Sequence, residues 1–100
     1  MNVDVKSAII DIFKRENIQH VFGHTGSHIV KLCKAVEESK INFVLGKQEG
    51  NATYMAGGYA HISKKPSVVV ATLGPGVTNM VTGAAVAYMD SIPLILIGGT

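Results

Sequence analysis

Ser67-Val68-Val69-Val70-Ala71-Thr72-Leu73 is an uncharged run, mostly β-branched, that Gly74-Pro75-Gly76 stops abruptly. A strand with one wet face alternates apolar and polar residues, and this run does not. Both of its faces are therefore expected to be buried, as in parallel sheets sandwiched by helices. The rest of the chain must supply those helices and further strands.

The remaining pattern supplies both. Val5, Ala8, Ile9, Ile12 and Phe13 recur at helical spacing with Lys6, Asp11, Lys14 and Arg15 between them, predicting an amphipathic helix over 4–16 that Asn17 ends. Ile18 to Phe22 reads as a short strand. Gly23-His24-Thr25-Gly26 reads as a loop whose glycines allow close approach by another group, with Ser27 capping the next helix. Ile29, Leu32, Cys33 and Val36 form the apolar stripe of that second helix, and Ile41 to Leu45 is a second, buried-type strand. A third helix is expected from Ala52 to Ile62. Its Gly57-Gly58 pair costs roughly 1 kcal/mol of helix propensity per glycine, which implies close packing against another backbone.

Val77, Val81, Ala84, Ala85 and Tyr88 then return to helical spacing as far as Asp90, with small residues that admit a neighbouring helix, and Pro93 to Ile97 is a fourth buried strand. Alternation of this kind specifies an α/β fold, a parallel sheet with helices on both faces. The pattern stops on a strand at Gly98-Gly99-Thr100 with no helix to cover it. Residues 1–100 are accordingly expected to be the front part of a longer domain, truncated at its C-terminal end.

Composition narrows the function classes. With 47% hydrophobic and 16% charged residues the chain can bury one modest core. Net charge is +2 and the nine Lys and Arg are scattered, so neither a nucleic-acid footprint nor a membrane-surface patch is expected. Asn2, Asp4 and Lys6 interrupt any leader-like apolar stretch. From Pro66 onward only Asp90 is charged, but Gly74-Pro75-Gly76 and Thr78-Asn79 cut that stretch into pieces too short to span a bilayer. The single cysteine, Cys33, cannot form an internal disulfide; it fits a reducing, cytoplasmic setting and a buried, inert position.

Glu49 is the first candidate for chemistry. It lies in Gln48-Glu49-Gly50-Asn51-Ala52, after a strand and at the opening of a helix, where open α/β sheets gather ligands at the carboxyl edge of their strands. A plainer role is to complement the positive end of the following helix, and residue physics alone favours it. Gly74-Pro75-Gly76 opens a helix whose free N–H groups can receive an anion or a polar ligand edge, or else is a tight turn needing glycine. Ser27 reads as a helix cap, and His24 and His28 read as surface histidines. Asn79 and Asp90 read as ties between helix ends and neighbouring backbone. His20 and His61 carry only structural readings.

Four motifs stand in order: Val21-Phe22-Gly23-His24-Thr25-Gly26-Ser27; Gln48-Glu49-Gly50-Asn51-Ala52 leading to Ala56-Gly57-Gly58-Tyr59-Ala60; Ala71-Thr72-Leu73-Gly74-Pro75-Gly76-Val77-Thr78-Asn79; and Ala87-Tyr88-Met89-Asp90-Ser91-Ile92-Pro93-Leu94. Together they resemble the N-terminal pyrimidine-binding domain of thiamine-diphosphate-dependent enzymes, in the acetolactate synthase and 2-oxo acid decarboxylase group. The resemblance implies that Glu49 hydrogen-bonds the aminopyrimidine ring of the cofactor and so helps generate its nucleophilic carbon. It also implies that Gly74, Pro75, Gly76 and Asn79 lie at the cofactor, and that Gly23, His24, Thr25, Gly26, Ser27 and His28 border the substrate side.

Mg²⁺ and the diphosphate are implied to be bound by a domain with a Gly-Asp-Gly start, which this sequence does not match. FAD is compatible with the resemblance, but nothing in the sequence indicates it. The same likeness implies a homodimer or homotetramer with the active site at the subunit interface, acting on a 2-oxo acid. Thr25, Gln48, Gly57 and Leu73 depart from the residues usual at their positions (proline, histidine, an acid and serine), which loosens the choice of subgroup while keeping Glu49. Two other readings stay open: a nucleotide-binding Rossmann-like module, although Gly23-His24-Thr25-Gly26 lacks the full G-x-G-x-x-G spacing, and a non-catalytic domain that kept only the fold.

Overall fold

The computed structural model describes residues 4–99; the expectations resting on Asn2 and Thr100 lie outside the described residues. Helix α1 spans Val5–Arg15, β1 His20–Gly23, α2 Val30–Glu38, β2 Asn42–Leu45, α3 Glu49–Ser63, β3 Ser67–Ala71, α4 Pro75–Thr78, α5 Val81–Met89 and β4 Leu94–Gly98. The four strands form one parallel sheet in the order β2-β1-β3-β4. The expected α/β alternation is what the chain builds.

Strand periodicity assigns the two faces. Val21, Val68 and Val70 turn to one side and pack with Ile10 and Phe13 of α1 and Leu32, Cys33 and Val36 of α2. Phe22, Val69 and Ala71 turn to the other side, against Ala52 and Ala56 of α3 and Met80. Every residue of β3 is buried, as its unbroken run requires. His20 has a structural role: its ring stands edge-on to Tyr59 at 5.0 Å, with Phe22 on the same tyrosine at 5.8 Å.

The helix ends show why the elements stop where they do. Asp4 caps α1 by accepting the Ser7 N–H at 2.9 Å, and Asn17 leaves the helix at φ 58°, a left-handed conformation asparagine tolerates. Gln48, not a favoured cap, accepts the Asn51 N–H at 3.2 Å, so α3 begins at Glu49, three residues earlier than its apolar pattern indicated.

Four expectations are corrected. Ser27 does not cap α2, whose N-cap is Ile29 without a side-chain bond; the Ser27 hydroxyl turns to His28 instead. The helix expected over 77–90 is two helices, broken between Thr78 and Val81. Its buried contact is Gly83, pressed against the Thr53 side chain of α3, while Val81 and Tyr88 face outward. The outer strands are not buried: Leu45 of β2 is 57% exposed and Ile95 of β4 is 45% exposed, because each lies at a sheet edge with one pairing neighbour among the described residues.

Gly57 and Gly58 also differ from expectation, since a Cβ at either would meet nothing within 4 Å. Gly58→Ala is therefore expected to stabilise the protein by about 1 kcal/mol through helix propensity alone, seen as a higher urea midpoint. A lower midpoint would show another backbone packed there.

Cys33 is buried, as expected. Burial pushes its thiol pKa up, and the charge of Glu37 adds to the effect. The folded protein thus holds this proton more tightly than the unfolded chain does. The associated stability is whole below the ordinary thiol value of 9.0 and is lost as pH rises through the higher folded value. At pH 8, thiol modification in the native protein is expected to be slower than in urea by at least roughly 10²-fold, the protection of a group that reacts only on opening. Comparable rates would place Cys33 at the surface.

Candidate functional site

In a parallel sheet every strand ends at the same edge, so the loops after β1, β2 and β3 gather there. Glu49 is the first residue of α3 and is half-buried at that edge. Its Oε1 accepts a hydrogen bond from Asn79 Nδ2 at 3.1 Å. Its Oε2 lies 3.5 Å from where a Cβ on Gly76 would stand. Glycine at 76 keeps the space in front of that oxygen clear.

Gly74-Pro75-Gly76 does open a helix, but α4 is a single turn, with Gly74 at φ 77° before Pro75. A left-handed residue here suits glycine. Gly74 and Pro75 are exposed, and Gly76 is the buried member of the turn.

The loop after β1 is tied to the end of β3. Thr72 Oγ1 lies 3.3 Å from His28 Nδ1 and accepts the His28 N–H at 3.4 Å, and Ser27 Oγ is 3.3 Å from the same ring nitrogen. Gly26 presses on the Thr72 side chain so closely that no Cβ fits. Thr72 Cγ2, in turn, is 3.1 Å from a Cβ built on Gly76. Ser27 and His28 are therefore tied to Thr72, whose Cγ2 and the Oε2 of Glu49 both border the space beside Gly76. His24 turns aside, its Nδ1 donating to its neighbour Thr25's carbonyl at 2.9 Å, and Thr25 is exposed.

Thr72 joins this cluster without having been singled out by the sequence. Thr72 read as the continuation of a strand that in fact ends at Ala71, and its one sequence signal was a hydroxyl just ahead of a glycine turn. A groove of about 480 Å³ between α1 and the start of α2 shares Ser27 and His28 with this site but is not lined by Glu49. Glu49 stands instead where the loop after β2 meets the turn that opens α4, through its bond to Asn79.

The chain matches, over residues 3–100, the family described as thiamine pyrophosphate enzyme, N-terminal TPP binding domain. It belongs to the thiamine pyrophosphate enzyme family. Within that family it is 46% identical over 90 residues to the mitochondrial acetolactate synthase catalytic subunit of Saccharomyces cerevisiae, covering 89% of this chain and 13% of that one. It is 40% identical over 90 residues to the "Probable 2-ketoarginine decarboxylase" of Pseudomonas aeruginosa, covering 90% of this chain and 16% of the relative.

The solved thiamine diphosphate-dependent 4-hydroxybenzoylformate decarboxylase of Rhodococcus jostii RHA1 shares the fold, with a TM-score of 0.90 at 21% identity over 98% of this chain and 18% of that one. The chain thus spans about a sixth of the length of these relatives. As a thiamine pyrophosphate enzyme domain related to acetolactate synthases and decarboxylases, it has the parallel α/β fold expected from its sequence. No helix of the described residues is long and apolar enough to cross a membrane.

Proposed function

We propose that this chain is the pyrimidine-binding part of a thiamine-diphosphate-dependent enzyme that decarboxylates a 2-oxo acid, with or without transfer of the resulting two-carbon unit to an acceptor. One observation carries the reading. A half-buried carboxylate at the carboxyl edge of the sheet has one oxygen held by Asn79 and the other facing a glycine. That arrangement fits a flat ring with a nitrogen donor, since Oε2 can accept from the ring while Gly76 leaves room for it.

When bound, thiamine diphosphate supplies a carbon nucleophile and an electron sink for 2-oxo acids. Glu49 is the catalytic residue in this reading, holding and moving a proton at Oε2. The turn of Gly74, Pro75 and Gly76 would flank the ring. Ser27 and His28, fixed through Thr72, present hydroxyl and imidazole groups toward a substrate carboxylate, with Gly23 to Gly26 shaping that wall.

Among the described residues no group of three His, Cys, Asp or Glu lies close enough to hold a metal ion. The proposal assigns Mg²⁺ and the diphosphate to a domain beyond this sequence, on the same chain or on a separate subunit. It requires no flavin.

Oligomerisation in the cytoplasm belongs to the same proposal. Uncharged helix α5 leaves Val81, Tyr88 and Met89 60%, 85% and 78% exposed, and Ile62 of α3 is 80% exposed. Helices apolar on all sides are normally covered. A homodimer or homotetramer with its site at the subunit interface would cover this surface, and sedimentation showing a fully active monomer would overturn that part.

The activity itself is tested with pyruvate and a small panel of 2-oxo acids, using the assembled enzyme with and without thiamine diphosphate and Mg²⁺. A cofactor-dependent decarboxylation rate is expected. No turnover across the panel, together with no cofactor binding, would refute the proposal.

A further inference from the structure

Asn79 closes α4 on a fixed backbone: its N–H donates to the Pro75 carbonyl at 2.9 Å, and its φ and ψ are −69° and −13°. Its carbonyl oxygen lies over the first turn of α3, 3.2 Å from where a Cβ on Gly50 would stand. A Cβ at 50 would first displace Gln48 Oε1, 2.6 Å away, and would then crowd this carbonyl by a few tenths of an ångström. From that platform Nδ2 reaches Oε1 of Glu49, a residue thirty positions away in the chain. A glutamate has three rotatable side-chain bonds, and an unrestrained one spreads over several rotamers. With Oε1 engaged, the accepting capacity left on the carboxylate is concentrated on Oε2, beside Gly76.

We infer that Asn79 is a positioning residue that orients the Glu49 carboxylate, holding Oε1 so that Oε2 faces the Gly74–Gly76 turn. This rests on the role proposed for Glu49, and it moves Asn79 from the cofactor contacts implied by resemblance to a place behind the catalytic group. Gly50 is part of the same device, because it admits the Asn79 backbone.

The test is a double-mutant cycle in the assembled enzyme, comparing wild type, Asn79→Ala, Glu49→Gln and the double variant. The readouts are kcat and the calorimetric Kd for thiamine diphosphate. Asn79→Ala is expected to lower kcat roughly 10-fold, the scale of one hydrogen bond to a charged group. In the Glu49→Gln background the same change should cost less than about 2-fold in kcat, and any change in Kd should vanish there too. A purely structural asparagine, or one that touches the cofactor itself, would give equal losses in both backgrounds and overturn the inference.

Asn79→Asp, which keeps the side-chain shape but sets a carboxylate against Oε1, should lose more than Asn79→Ala and serves if the alanine variant does not fold. Wild-type kcat in both Asn79 variants also overturns the inference, while leaving Glu49 as proposed. A Glu49→Gln enzyme as active as wild type instead defeats the proposed function itself.

Discussion

Glu49→Gln in the assembled enzyme is expected to lower the thiamine-diphosphate-dependent rate by roughly 10²-fold or more, with little change in stability. The two possible roles of this residue differ enough in magnitude to be told apart. As the first residue of α3 its charge complements the helix end, an effect of about 0.3–1 kcal/mol on stability and none on chemistry. As the group that accepts and returns a proton, its loss removes a catalytic factor of roughly 10² to 10⁴. At 1.36 kcal/mol per tenfold, the smallest of these is about 2.7 kcal/mol of barrier. Glutamine keeps the length and one oxygen, so the urea midpoint should move little while turnover collapses. Unchanged turnover with a slightly lower midpoint would make Glu49 a helix-end charge.

Gly23→Ala is expected to destabilise the fold by about 3 kcal/mol, the upper range for forcing atoms into a packed site. Gly23 ends β1, a central strand, opposite Leu45 of β2 and Val70 of β3. A Cβ there collides with the Val70 carbonyl oxygen and lies 2.8 Å from Val70 Cγ2. The obstruction is backbone in the middle of the sheet, so relief requires β1 and β3 to part. Domains are stable by only about 5–15 kcal/mol, so the urea midpoint should fall sharply. Gly74→Ala makes the contrast. Gly74 sits at φ 77° and ψ −120° in open space, so only backbone strain, about 1–3 kcal/mol, is expected. A smaller loss at Gly23 than at Gly74 would contradict the packing described for the sheet.

The fold was legible where local pattern and tertiary fate agree. The uncharged run from Ser67 announces a strand buried on both faces, and the stripe Leu32–Cys33–Val36 faces it as its spacing predicts, whereas in α1 it is Ile10 with Phe13 that faces it, and Val5, Ala8 and Ile12, expected on the apolar side, are exposed. Legibility fails where burial depends on neighbours: Ile95 and Leu45 are as apolar as the core but lie on edge strands, and α5 is too uniformly apolar for its sequence to say that Gly83, not Tyr88, faces α3. Glu49 could be placed at the sheet edge from the strand–helix boundary. Its pairing with Asn79 and the tie between His28 and Thr72 could not, because they join residues 30 and 44 positions apart that only the folded crossovers bring together.

The most direct measurement is a crystal structure of the assembled enzyme with thiamine diphosphate bound. The account predicts a nitrogen of the pyrimidine ring within about 3 Å of Glu49 Oε2, with Asn79 still on Oε1. A ring bound elsewhere, with both Glu49 oxygens engaged only by Asn79 and the backbone of α3, would contradict it.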